Sequence, residues 1–238
     1  MNFNNFDEIK KRLEEIKEIG FVKTHRSGQT GIGKTLEDLL GIKENNIPGP
    51  NALGIIELKA IRKNGKSMLT LFTLAPSPPK INSLLVEKYG YISPTRKNKK
   101  ILHTTVNGLE FNTIKDEYGF KVEVEKDRVN LIHYLDGIVA YWLEEDLKEA
   151  FERKLKNFLL IKAESRGKGK DEEFWYNEGY LLNGFSFENF KNLIKEGIIL
   201  IDIRIGQYPN GKTHDHGTGF RIFLNNLDLC YENKIKVL

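Results

Sequence analysis

The stretch Pro50-Asn51-Ala52-Leu53-Gly54-Ile55-Ile56-Glu57-Leu58-Lys59 decides how the rest of the chain is read. Proline, asparagine and glycine make its first half a turn, and the second half alternates apolar and charged residues. On an extended strand, side chains two apart share a face. Glu57 and Lys59 therefore project together, while Ile56 and Leu58 take the other face into a core. An oxygen-bearing side chain from the turn, Asn51, stands ahead of them.

Working outward, the chain has 238 residues, enough for one large domain or two small lobes with a real core. Lysine and arginine exceed aspartate and glutamate by 37 to 33, a formal charge of +4, which permits a nucleic-acid partner without demanding one. Cys230 is the one cysteine, which excludes an internal disulfide or a thiolate zinc cluster and fits a reducing cytoplasm. No apolar run is long enough to span a membrane, and the polar start is not a signal peptide.

Phe6, Ile9, Leu13 and Ile16 form one helical stripe, closed by Gly20. A glycine-rich loop at 27–33 leads to a short helix at 35–40. Residues 54–61 and 67–73 read as strands, and Asn64-Gly65 between them is a hairpin signal. Residues 76–100 read as loop, and 101–106, 118–125, 128–135 and 138–142 as strands. A helix at 143–156 follows, with Leu147, Phe151 and Leu155 on one face. Strands at 158–163 and 174–181, a helix at 185–195, and strands at 198–205 and 219–224 around a polar loop complete a mixed α and β chain. A lobe boundary is expected near Glu144, giving lobes of 1–143 and 144–238.

Residues 28–35, GQTGIGKT, fit the phosphate-loop pattern G-x-x-x-x-G-K-T, and the apolar run at 198–202 ends in an aspartate as a magnesium-holding strand would. That motif needs a buried strand before it and a long helix after it. Here the preceding residues 21–26 are short and polar, and Gly41 stops the helix early. A glycine loop opening a short helix is the preferred reading, with a P-loop NTPase as the remote alternative.

Hydrolysis of a phosphodiester needs a cation to neutralise the anion, an aligned water, and a positive charge near the attacking oxygen. Glu57 and Lys59 supply a hard carboxylate for Mg²⁺ and an ammonium beside the water. Taken alone, the pair is more often a surface ion pair than a catalytic one.

Three segments in order resemble the MvaI/BcnI family of restriction endonucleases: 26–40 (RSGQTGIGKTLEDLL), 54–60 (GIIELKA), and 202–208 (DIRIGQY) leading into 212–222 (KTHDHGTGFRI). Residues 67–73 (SMLTLFT) and 101–106 (ILHTTV) are similar as well, and the layout is more distantly MutH-like. The resemblance spans most of the chain. It implies a PD-(D/E)xK catalytic core with a second, DNA-reading lobe, and a Mg²⁺-dependent type II endonuclease in which Mn²⁺ substitutes. The target would be a short GC-rich pseudopalindrome of the CC-N-GG kind in double-stranded DNA. It further implies a monomer in a prokaryotic cytoplasm, partnered by a methyltransferase of matching specificity. The glycine loop is thereby reassigned: Glu37 would point at the active site and join Glu57 and Asn51 as a metal ligand, while Lys34, Arg26 and Lys212 would serve the DNA backbone.

One departure stands out. The family's first metal carboxylate follows the proline, where this chain has Asn51, and the gap to Glu57 differs by one residue. An amide oxygen coordinates Mg²⁺ without adding charge, so weaker metal binding and slower cleavage are expected. A DNA-binding protein of the same fold with crippled cleavage is the alternative.

Asp202, Arg204, Tyr208, His214, His216 and Arg221 form the candidate base-reading set. Arginine donates bidentately to guanine, histidine N–H donates to guanine, and aspartate accepts from cytosine. Against this stand a His214/His216 zinc pair and an Asp202–Arg204 structural ion pair. Arg221, inside an apolar strand, needs an acid or DNA as partner. Arg96, Lys97, Lys99, Lys100, Arg166, Lys168 and Lys170 are loop cations suited to phosphate or to solvent alone. Trp142 and Trp175 are expected in packing roles.

Overall fold

A computed structural model describes residues 5–42, 56–96, 98–215 and 217–238. The chain divides into two compact units that interleave along the sequence: residues 1–67, 153–185 and 231–238 in the first, 68–152 and 186–230 in the second. The expected cut at Glu144 is thus corrected. The chain leaves the first unit after its fourth element, returns for two long strands, and crosses twice more.

In chain order the first unit opens with α1 (Phe6–Ile19), β1 (Val22–Lys23), α2 (Gly31–Leu40) and β2 (Glu57–Arg62). The second contributes β3 (Leu69–Thr73), α3 (Ile81–Tyr89), β4 (Tyr91–Ile92), β5 (Lys100–Val106), β6 (Thr113–Ile114), β7 (Glu117–Tyr118), β8 (Phe120–Val124), β9 (Arg128–His133) and β10 (Gly137–Leu143). Helix α4 (Glu144–Leu155) spans the boundary. Strands β11 (Asn157–Arg166) and β12 (Glu173–Asn183) belong to the first unit. Helix α5 (Phe187–Lys195), β13 (Ile199–Gln207), β14 (Thr213–Asp215) and β15 (Gly219–Ile222) belong to the second, and β16 (Asn233–Lys236) ends in the first.

The sheet of the first unit runs β1-β12-β11-β2, with β16 beside β12. Strand β2 is an edge strand, parallel to β11, with Glu57 opposite Phe158 and Lys59 opposite Leu160. Leu58, Leu159, Ile161 and Tyr176 face α1 and α2, whose Ile9, Leu13, Ile16, Ile32, Leu36 and Leu40 complete one buried cluster. The alternation read from the sequence therefore holds: Ile56 and Leu58 are core, and Glu57 lies on the other side. On that side Phe158 packs on Tyr231, which packs on Phe185.

Three local expectations are corrected. The Asn64-Gly65 signal does make a tight turn, Gly65 N–H donating to the Arg62 carbonyl at 3.0 Å. It does not make a hairpin, because β2 pairs with β11 whereas β3 pairs with β15 in the second unit. The stretch read as loop at 76–100 contains α3, whose Ile81, Leu85 and Val86 are buried. The polar loop after β13 contains β14.

The larger sheet of the second unit runs β3-β15-β13-β5-β4, with β14 on β13. Its two faces differ in chemistry. Ile199, Ile201, Ile203 and Ile205 alternate onto one face and are buried with Phe220 and Phe72. Helix α5 packs there through Phe190, 5.5 Å from Phe72 and 5.8 Å from Phe220 between ring centres. Trp142 of the β10-β9-β8 sheet adds an edge contact to Phe220 and donates to the Leu74 carbonyl, which makes it a core residue as expected. The opposite face carries Asp202 and Arg204, with Thr105 and His103 directly across in register.

Candidate functional site

In the first unit, Glu57 is 3% exposed, yet it is a carboxylate at the end of a sheet. Burial of an unpaired carboxylate is strongly unfavourable, so it must be compensated. Both oxygens are. The Lys59 ammonium lies 2.8 Å from Oε1, and the Lys154 ammonium lies 3.0 Å from Oε2. Lys59 is the residue the strand alternation pairs with Glu57. Lys154 comes from the last turn of α4 and was not anticipated. The signal was present: Leu147, Ala150, Phe151 and Leu155 line the buried face of that helix, and position 154 falls within the same i, i+3, i+4, i+7 stripe. A cation there wants a buried partner.

Glu37 is half-buried on α2, the helix that packs against β2 through Leu36 and Leu58. Asn51 lies outside the described residues. Among the described residues no three histidine, cysteine, aspartate or glutamate side chains converge as a metal cage. The donor chemistry nonetheless fits Mg²⁺, which keeps several waters and commonly takes only one or two protein carboxylates together with phosphate oxygens. Glu57 is a buried carboxylate of that kind, held ready by two ammonium groups.

The glycine loop is not a phosphate loop. Its preceding strand, β1, has two residues and sits at the sheet edge. Arg62 closes the loop from outside, donating to the Gly28 and Gln29 carbonyls while pairing with Glu172 at 2.6 Å. A β-carbon at Gly31 would lie 2.1 Å from the Arg26 carbonyl oxygen, so the glycine serves a close backbone approach. The Thr35 hydroxyl, which would have to meet magnesium, is buried and accepts from the His25 N–H at 2.9 Å. Lys34 pairs with Asp38 at 2.6 Å, and His25 Nδ1 is 2.9 Å from the same carboxylate. Those two partners hold the Asp38 carboxyl below the usual range, the Lys34 hydrogen bond first. The apolar run that ends in Asp202 lies within β13, in the sheet of the other unit.

In the second unit, Asp202 is the hub of the polar face. Its Oδ2 takes Arg221 Nη1 at 2.6 Å and lies 3.4 Å from Arg204 Nε, and its Oδ1 accepts from the Thr105 hydroxyl at 3.2 Å. Arg221 also donates to the Met68 carbonyl at 2.9 Å. The partner required for Arg221 is therefore an acid, and the guanidinium is fixed in the sheet. Arg204 is the more exposed of the two, at 36% of its side chain against 18%. Tyr208 is exposed, its ring 6.2 Å from that of His214, with the Lys99 ammonium 5.0 Å from its centre. Gly206 makes that possible, because a β-carbon there would lie 2.3 Å from the Lys99 side chain. His216 lies outside the described residues, as does Lys97.

Three of the loop cations are engaged within the protein. Lys99 is buried against Gly206 and Tyr208, and Lys100 donates to the Glu87 carbonyl. Arg166 pairs with Glu173 and stacks over Phe21. Arg26, Lys168, Lys170 and Lys212 are exposed. Trp175 is half-buried and donates to the Lys17 carbonyl at 3.0 Å, a packing role. Among the described residues no helix is long and apolar enough to cross a membrane.

The chain has relatives among known proteins. Its sequence matches the MvaI/BcnI restriction endonuclease family over residues 10–231. Among solved structures it is similar to that of the restriction endonuclease MvaI in complex with cognate DNA, with 32% identity, a TM-score of 0.85, and full coverage of both chains. It is similar as well to MvaI in the absence of DNA, with 28% identity, a TM-score of 0.59, and coverage of 100% of this chain and 99% of that one. No curated protein matches.

Proposed function

The chain belongs to the MvaI/BcnI restriction endonuclease family, and from that premise we propose that it is a type II enzyme that hydrolyses phosphodiester bonds within a short GC-rich site in double-stranded DNA, of the CC-N-GG kind. The observation that carries this reading is the buried Glu57 carboxylate clamped by the Lys59 and Lys154 ammoniums.

The reaction joins one water oxygen to phosphorus and breaks one ester bond. Glu57, with Glu37 and Asn51, would hold a divalent ion, Mg²⁺ or Mn²⁺, and the ion when bound would neutralise the scissile phosphate. Lys59 orients the attacking water and holds positive charge beside it. Its side chain is about a third exposed, so it reaches solvent while remaining tied to Glu57. Lys154 fixes the other carboxylate oxygen, so the carboxylate plane does not swing.

Base reading falls to the polar face of the second unit. Arg204 offers its free guanidinium edge to guanine, and Asp202 and Arg221 hold it in position. His214 and Tyr208 extend the same face, and His216 is assigned to base reading with them. Lys34, Arg26 and Lys212 are assigned to the sugar–phosphate backbone. We assign the protein as a monomer that acts alongside a methyltransferase of the same specificity.

Asn51 sets the rate in this reading. Asn51→Asp restores a second carboxylate and raises plasmid cleavage at limiting Mg²⁺. If the substitution leaves both rate and metal requirement unchanged, position 51 is not a metal ligand. Cognate binding without metal-dependent nicking in either form would select the binding-only alternative.

A further inference from the structure

We propose that His103 is a specificity-determining residue of the polar face, its imidazole contacting the edge of a base adjacent to the one engaged by Arg204. The inference rests on the assignment of this face to DNA.

The register of β5 and β13 places His103 directly opposite Arg204, and Thr105 directly opposite Asp202. Paired residues in a sheet share a face, so the imidazole stands beside the most exposed guanidinium of the reading set. Its neighbour Leu102 is wholly buried on the other face, whereas His103 is exposed. Both helices that pack on this sheet, α3 and α5, lie on the isoleucine side: α3 reaches Thr213 and Asp215 through Ser83 and Asn82, residues in register with Gln207 and Ile205.

The backbone around His103 is held on both sides while its ring is not. Tyr91 donates its hydroxyl to the His103 carbonyl at 3.2 Å, and Asn112 donates its amide to the Thr105 carbonyl at 2.7 Å. Thr105 is committed to Asp202. Among the described residues the imidazole nitrogens of His103 have no hydrogen-bond partner. The ring stands where two open clefts meet, one of about 650 Å³ beside Thr105 and Asn107, the other of about 330 Å³ beside Tyr91 and Pro94. A fixed backbone displaying an uncommitted polar ring into open space is what direct readout requires.

The protonation state suits the role. Partial burial pushes the imidazole below its ordinary pKa; Asp202 opposes this, and the Lys99 and Arg204 cations support it. The neutral ring carries one donor and one acceptor, so it distinguishes bases by which nitrogen is used. A positively charged ring would serve phosphates instead.

The test compares His103→Ala and His103→Gln with the unaltered protein in equilibrium binding to a panel of duplexes: the cognate site, each single base-pair substitution of it, and a random sequence. Discrimination at one base-pair position is expected to fall about tenfold or more in His103→Ala. The random duplex should bind unchanged, and His103→Gln, which keeps a donor and an acceptor, should retain part of the discrimination. Equal losses on cognate and random duplexes would overturn the proposal in favour of a phosphate contact, and so would discrimination unchanged at every position. If the unaltered protein itself prefers no duplex, the reading of the whole face fails, and that result is distinct from a failure of His103 alone.

Discussion

Lys154 and Glu57 stand 97 residues apart in the chain and meet with the ammonium nitrogen 3.0 Å from Oε2. The contact joins the last turn of α4 to the edge strand that carries Glu-x-Lys. It makes Lys154 a positioning residue, one that acts through the carboxylate it holds.

An ammonium on Glu57 competes with a metal ion for the same oxygen. Lys154→Ala is therefore expected to lower the Mg²⁺ concentration needed for half-maximal cleavage while reducing the maximal rate about tenfold or more. A titration of cleavage against metal checks both. A merely structural lysine would lower the rate and leave the metal dependence where it was. Because Glu57 is left with one charged partner among the described residues, in a buried setting, the variant should also lose about 1–3 kcal/mol of stability, readable in thermal unfolding.

Asp202 hydrogen-bonds one guanidinium and a hydroxyl and forms an ion pair with a second guanidinium, so its removal strands charge in the sheet. Asp202→Ala should destabilise the protein by about 2–4 kcal/mol, since breaking a buried pair leaves the partner uncompensated. Arg221→Ala should lose sequence discrimination while salt-sensitive binding to random duplex survives. Denaturant unfolding and duplex competition report these separately, and an Asp202→Ala protein as stable as the parent would contradict the hub role.

How much of this could be read beforehand follows from the range of each signal. Glu57 and Lys59 are two residues apart, and two-residue alternation is a local property of extended chain, so their shared face was legible. The helical stripe of α1 and the isoleucine alternation of β13 were legible for the same reason. The inward place of Lys154 on its helix was legible too, but its partner and that of His103 were not, because each acquires its neighbour only when strands from distant parts of the chain pair: β2 with β11, and β5 with β13. The Asn64-Gly65 turn misled because it is real as a turn, while partner choice is made by the strands. Helix α3 was masked by the prolines at 76, 78 and 79 that precede it.

Tyr176 is buried and donates its hydroxyl to the Ile32 carbonyl at 2.7 Å, tying β12 to the start of α2. Burial pushes its pKa well above the ordinary phenol range. Tyr176→Phe should cost about 1 kcal/mol, a fall of roughly 2–4 °C in Tm for a chain of this size. No fall in a thermal melt would mean that the hydroxyl contributes nothing to anchoring the helix.

Glu178 gives a pH signature. Burial opposes its ionisation, but the Lys162 and Lys63 ammoniums, 3.0 and 3.1 Å away, outweigh it and hold the carboxyl at about 2. A carboxyl depressed on folding stabilises the native state above its unfolded pKa of 4.5, and the contribution is lost as pH falls toward 2. The Tm gap between the parent and Glu178→Gln should therefore be full near neutral pH, shrink below about 4.5, and close near 2. A gap independent of pH over that window would remove the ion pairs as its cause.

The most direct measurement is digestion of a sequenced plasmid with Mg²⁺ or Mn²⁺ by the parent protein and by Glu57→Gln, with the ends mapped. The account predicts discrete, metal-dependent ends within one short GC-rich sequence for the parent, and none for Glu57→Gln. Equal cutting by the two proteins, or parental ends scattered without sequence, would contradict it.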